Sequence, residues 1–101
     1  MIFGMTKEQF EILNQLVIRP LKMYGAEVFV FGSRTTEKFH PHSDVDLLYR
    51  MPAGKNLPAA ILSEMKESIE ESLFPFAVDL VEEKDLAEGY RTSVLSQIKA
   101  I

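Results

Sequence analysis

The sequence predicts a small two-layer α+β domain: a mixed β-sheet with helices packed on one face. Three observations carry this. Short runs rich in β-branched and aromatic residues alternate with stretches whose apolar residues recur at helical spacing. The second and third of these runs are separated by a long helical stretch, the kind of crossover that a parallel strand pair needs. The first and second are joined by a loop of roughly a dozen residues, which permits an antiparallel pair.

The elements follow in order. Thr6 with Gln9 fits a capping box, and Phe10, Leu13, Leu16 and Val17 then recur on one helical face. Pro20 is expected to end or kink this helix near Ile18, with Pro20 to Tyr24 as one more turn and Gly25 as its stop. Glu27 to Phe31 reads as a strand closed by Gly32 and Ser33, and the polar stretch from Arg34 to Ser43 as a loop or single helical turn. Val45 to Tyr49 is the second strand, and Pro52 to Pro58 a loop. Ile61, Met65, Ile69 and Leu73 repeat every four residues and mark a second long helix. Ala77 to Val81 is the third strand. Asp85, with Glu88 three residues on, is expected to cap a last helix reaching Ile98, whose stripe of Leu86, Tyr90, Val94 and Ile98 is assigned to the core.

With 101 residues, the chain is expected to be one domain spanning residues 1–101. The absence of cysteine excludes disulfides, thiolate metal sites and a cysteine nucleophile. No apolar run approaches the roughly 18 residues of a membrane span, and no signal peptide is visible, so no membrane contact and a cytoplasmic location are expected. Acidic and basic residues balance over residues 1–50, so the net charge of −4 falls in the second half. Without a strong basic patch, direct nucleic-acid binding is not expected.

Asp44 and Asp46 stand two apart at the start of a strand, so both carboxylates share one face. Two carboxylates on one face repel unless a cation lies between them, and Mg²⁺ takes carboxylate and phosphate oxygens. An isolated Asp-x-Asp is also met as a turn residue followed by a solvated side chain. Gly32 and Ser33 end the preceding strand beside this point, where a glycine leaves room for a ligand and a hydroxyl and backbone N–H groups can hold phosphate. A simple strand-ending turn would look the same. Asp79 interrupts an otherwise apolar strand, and it either joins the other two carboxylates or faces water at an edge. His40-Pro41-His42 reads as surface loop, since no third ligand is nearby. Gly54-Lys55 lacks the upstream glycine and following hydroxyl of a P-loop.

Gly32-Ser33, ten intervening residues, Asp44-Val45-Asp46, and a later Asp79 within an apolar strand resemble the nucleotidyltransferase superfamily that includes polymerase beta. Phe31-Gly32-Ser33-Arg34 followed by Pro41-His42-Ser43-Asp44-Val45-Asp46-Leu47 is most similar to its minimal nucleotidyltransferase group. The resemblance runs from about Val28 to Leu48 and resumes at Val78 to Val81. It implies the nucleotidyltransferase fold and an Mg²⁺-dependent enzyme, with two ions, that uses ATP or another nucleoside triphosphate. Asp44, Asp46 and Asp79 would be the catalytic carboxylates and metal ligands, with Asp79 aiding deprotonation of the attacking hydroxyl. Gly32 and Ser33 would lie against the β- and γ-phosphates. Arg34 would contact phosphate or, alternatively, form an exposed ion pair.

The group further implies an antitoxin paired with a HEPN-type ribonuclease toxin, which it neutralises by AMPylation or by binding. A non-catalytic binding module and a subunit of a small-molecule nucleotidyltransferase are the alternatives. Thr35, Thr36 and Glu37 depart from the group's small residue, basic residue and glycine, and an acid near the phosphate path would weaken nucleotide binding. Since the helices and sheet use nearly the whole length, the acceptor pocket is expected to be completed by a partner protein.

Overall fold

A computed structural model describes residues 2–36, 39–40 and 42–101. The expectations placed on Glu37 and Pro41 lie outside the described residues. The first helix opens as the Thr6–Gln9 pair dictates. Thr6 Oγ1 accepts the Gln9 N–H at 3.1 Å and Gln9 Oε1 accepts the Thr6 N–H at 2.9 Å, closing the capping box that starts α1 (Lys7–Leu13). Thr6→Ala removes one acceptor from an otherwise orphaned donor. It is expected to lower stability by about 1 kcal/mol, read as a lower urea midpoint at unchanged slope.

Pro20 neither ends nor breaks the helix. A π-helical segment, Asn14–Ile18, leads into α2 (Arg19–Met23). The Arg19 N–H reaches back five residues to the Asn14 carbonyl. In a regular α-helix the proline ring would strike the carbonyl of Leu16, four residues back. The wider register just before it relieves that contact and lets the helix continue. The helix then stops in a Schellman arrangement. The Gly25 N–H donates to Lys22 O at 2.9 Å and the Ala26 N–H to Leu21 O at 3.1 Å, with Gly25 at φ +90°.

The sheet has the order β3-β2-β1-β4. β1 (Glu27–Phe31) pairs antiparallel with β2 (Val45–Arg50), and β2 pairs parallel with β3 (Val78–Glu82) across the helical crossover α3 (Ala59–Glu71), as expected. Leu73 does not continue the α3 stripe. Ser72 Oγ donates to the Ile69 carbonyl and accepts the Phe74 N–H, and this turn swings Leu73 out to 92% exposure while Phe74 goes in.

The last helix differs most from expectation. Glu83–Asp85 is a 3-10 turn, and α4 (Glu88–Leu95) starts after Ala87 without a side-chain cap. None of its residues is buried, and Tyr90 is 70% exposed. Its stripe therefore does not feed the core. A two-residue strand follows, β4 (Lys99–Ala100), which pairs antiparallel with Phe29 and Val30, and the Ile101 N–H donates to Val28 O. So short a pairing carries no periodic signal. It arises because the outer edge of β1 has backbone groups to satisfy.

Alternation sorts the sheet residues. Val28, Val30, Val45, Leu47 and Tyr49 face one way and form a single core with Leu13, Val17 and Leu21 of the first helix and Met65 and Ile69 of α3. Phe29 and Leu48 face the other way, lie outside that cluster, and are still buried. The connection from β3 to β4 spans the full sheet width, and its half-buried Val94, Leu95 and Ile98 also lie outside the main cluster. Among the described residues no helix is long and apolar enough to cross a membrane.

Candidate active site

Asp46 follows Val45 by one, so with Val45 in the core its side chain emerges on the opposite sheet face. The register puts Phe31 beside Asp46 on β1 and Asp79 beside Asp46 on β3. A residue row Phe31–Asp46–Asp79 thus crosses one end of the sheet, where β1 ends and β2 and β3 begin. Adjacent strands are about 4.8 Å apart, so two carboxylates become neighbours on one surface. Asp46 is half-buried, while Asp44 and Asp79 are exposed. The Asp46 carboxyl is held above the usual aspartate range, first by burial, then by the charges of Asp79 and Asp44, with Arg34 opposing. Asp79 and Asp44 therefore both act on Asp46. Among the described residues they do not stand as a closed cage ready to hold a metal ion.

Asp44 is fixed through its chain neighbours. The Val45 N–H donates to the Ala77 carbonyl at 2.8 Å, tying the start of β2 to the approach of β3. On the other side, Ser43 is held at every polar group. Its N–H donates to His40 O, its Oγ accepts the His40 N–H, and its carbonyl accepts two bonds from Arg34.

Gly32 leads from β1 into a 3-10 turn, Gly32–Thr35, with φ +79°. A Cβ at this position would fall on the Asp46 carboxylate, so only glycine fits both the backbone and the space. Thr35, one of the departures from the group pattern, donates its hydroxyl to the Gly32 carbonyl at 2.7 Å and braces the turn. Thr36 donates its N–H to the Ser33 carbonyl at 3.1 Å. The Ser33 residue is exposed beside the acidic row.

Arg34 is not a surface residue. It is 2% exposed, which excludes the exposed ion pair. Nε and Nη2 donate to the Ser43 carbonyl at 3.1 and 2.7 Å, and Nη1 donates to the Phe3 carbonyl at 2.9 Å. The guanidinium lies 4.2 Å from the Phe76 ring centroid and 5.2 Å from that of Phe39. Burial lowers its pKa, and the nearby charges of Asp44 and Asp46 oppose that shift. Ser43, Phe3 and Phe76 were not singled out from sequence as site residues; only the position of Ser43 directly before Asp44 hinted at such a role.

Asp79 also borders a cavity of about 340 Å³ between β3 and α3, walled by Met65, Ile69, Phe74 and Phe76.

Residues 7–100 match the family model of the nucleotidyltransferase domain. A solved structure of a candidate minimal nucleotidyltransferase is 28% identical, with a TM-score of 0.69, the match covering 96% of this chain and 97% of that one. A toxin–antitoxin crystal structure with AMP-PNP is 21% identical, with a TM-score of 0.64, over 86% of this chain and 70% of that one. A mutant of the toxin–antitoxin pair MntA–HpeT is 18% identical, with a TM-score of 0.61 and the same coverage, 86% and 70%. The last two are likenesses of fold. No curated protein matches the sequence.

Proposed function

Because this chain belongs to the nucleotidyltransferase domain family, we propose that it is an Mg²⁺-dependent enzyme transferring a nucleoside monophosphate, AMP from ATP, to a hydroxyl of a partner protein. The partner in this reading is a HEPN-type ribonuclease toxin, and the chain is its antitoxin. The observation that carries the proposal is the row formed by Asp46 and Asp79, with Asp44 two residues before and the Asp46 carboxylate packed where Gly32 lacks a side chain. The likeness to a toxin–antitoxin structure with AMP-PNP supports the nucleotide and the setting. In the MntA–HpeT mutant two aspartates two positions apart are changed to glutamate, the same spacing as Asp44 and Asp46.

The donor set suits a hard divalent cation: carboxylate oxygens only, crowded enough that Asp46 resists ionisation. Asp44, Asp46 and Asp79 would hold it. When bound, such ions offset charge on the attacking oxygen, the triphosphate and the departing pyrophosphate. Gly32, without a side chain, lets the Asp46 carboxylate pack against the turn, and its backbone, Ser33 and the N–H groups of the 3-10 turn hold the β- and γ-phosphates of the triphosphate. The acceptor oxygen bonds to the α-phosphorus as the bond to the bridging oxygen breaks. Pyrophosphate leaves, and Asp79 takes the hydroxyl proton and later yields it to water. Exposed Met23, Leu73 and Tyr90 are apolar surface that a partner would cover.

Co-expression with the product of the adjacent gene, followed by mass spectrometry, tests this. The partner is expected to gain a nucleoside monophosphate, and the adduct to vanish with Asp46→Asn. Efficient modification of a free small molecule, with the partner untouched, would overturn the protein acceptor. A tight complex with no transfer under any nucleotide would favour the binding module.

A further inference from the structure

The N-terminal residues form a tight turn with no part in the chemistry above. Ile2 and Met5 exchange two backbone hydrogen bonds of 2.9 Å. Between them Phe3 has φ +50° and Gly4 φ +77°. A phenylalanine in the left-handed region persists only where its surroundings hold it there. What holds it is visible: Met5 is fully buried, and the Phe3 carbonyl takes the Nη1 hydrogen bond of Arg34.

Arg34 therefore has one hand on this turn and two on the Ser43 carbonyl, the group immediately before Asp44. Resting on the metal-dependent reading given above, we propose that Arg34, braced by the turn at Phe3–Gly4, is a positioning residue that aims Asp44 at the metal. It touches neither phosphate nor metal. Three of its N–H groups are committed to backbone carbonyls, and its faces are covered by Phe76 and Phe39. The planar fork makes both bonds to one oxygen, which a lysine ammonium cannot reproduce in the same geometry. The N-terminal turn thereby sets metal affinity from outside the site. A methyl group on Gly4 would press on the Phe39 ring and stand 2.8 Å from Arg34 Nη1.

Mn²⁺ binding to the full chain, followed by loss of the free-ion electron paramagnetic resonance signal, provides the test. Arg34→Lys and Gly4→Ala are each expected to weaken Mn²⁺ about tenfold, the lower range for residues that orient a metal ligand. The metal concentration for half-maximal transfer should rise in parallel, with KM for nucleotide unchanged at saturating metal. Thermal unfolding identifies any variant that does not fold, and Gly4→Ala, at a half-buried position outside the main core cluster, carries the test if Arg34→Lys fails. Wild-type Mn²⁺ affinity in folded Gly4→Ala would overturn the inference. So would a raised nucleotide KM with unchanged Mn²⁺ affinity in Arg34→Lys, which would mark a phosphate contact instead. A wild type that shows the expected metal response to both variants yet transfers no nucleotide would support the positioning role and sink only the proposed transfer.

Discussion

Asp46→Asn is expected to reduce transfer about a thousandfold or more, the loss that follows from removing several kcal/mol of metal-borne charge stabilisation. The same substitution is expected to make the metal-free protein more stable at neutral pH. The sign follows from the carboxyl's surroundings. Burial, then Asp79 and Asp44, raise its folded pKa above the ordinary 3.8. A carboxyl raised in this way favours folding fully below its unfolded pKa, and that contribution is lost as pH rises through the folded value. At pH 7 the wild type therefore carries a disfavoured charge that the amide does not. Thermal unfolding without metal should place the variant above the wild type at pH 7, and the two should converge well below pH 3.8. Adding Mg²⁺ or Mn²⁺ should raise the wild-type midpoint and leave the variant nearly unmoved, because binding to the folded state alone adds stability. A variant as active as wild type, or one less stable at neutral pH without metal, would remove Asp46 from the proposed site.

The acidic row was legible because two simple rules determine it. Alternation puts Asp46 on the face opposite Val45, and a helical crossover between strands makes β2 and β3 parallel neighbours, so Asp79 arrives beside Asp46. The role of Arg34 was not legible. An arginine in a polar stretch is ordinarily exposed, and its burial here depends on Phe3, 31 residues away, and on Phe76, farther still. The Phe3–Gly4 turn that braces it has no meaning until the fold brings residue 3 to residue 34.

The same limit explains the C-terminal half. Leu86, Tyr90, Val94 and Ile98 recur at helical spacing, but periodicity does not say whether a core is waiting for them. The main core is already filled by the first helix and α3, and Tyr90 stays in water. Leu73 fits the α3 repeat equally well, and a single serine hydroxyl turns the chain before it. Pro20 was legible as a disturbance. Its resolution as a π-helical segment depends on packing that keeps Val17, Ile18 and Leu21 in the core on both sides of the bulge.

Gly32→Ala separates backbone strain from space at the site. Gly32 and Gly54 adopt nearly the same conformation, φ +79° and +76°. An alanine at either should lose about 1–2 kcal/mol of stability for a left-handed L-residue. Around Gly54 an added Cβ meets nothing within 4 Å, whereas at Gly32 it falls on the Asp46 carboxylate. Gly54→Ala is therefore expected to fold less stably and keep full transfer. Gly32→Ala is expected to lose further stability and, by displacing Asp46, about a hundredfold in transfer, the scale set by misplacing a catalytic group by roughly 1 Å. Gly32→Val should go further in both respects, so the site glycine serves folding as well as the phosphates. Urea unfolding at two pH values sharpens the comparison. The extra instability of Gly32→Ala over Gly54→Ala should be larger where Asp46 is protonated, because the ionised carboxylate is already disfavoured in its place and loses less when moved from it. Equal stability and equal transfer in the two variants would show that nothing about Gly32 is specific to Asp46, and the packing of that carboxylate against the turn would then have no part in the site.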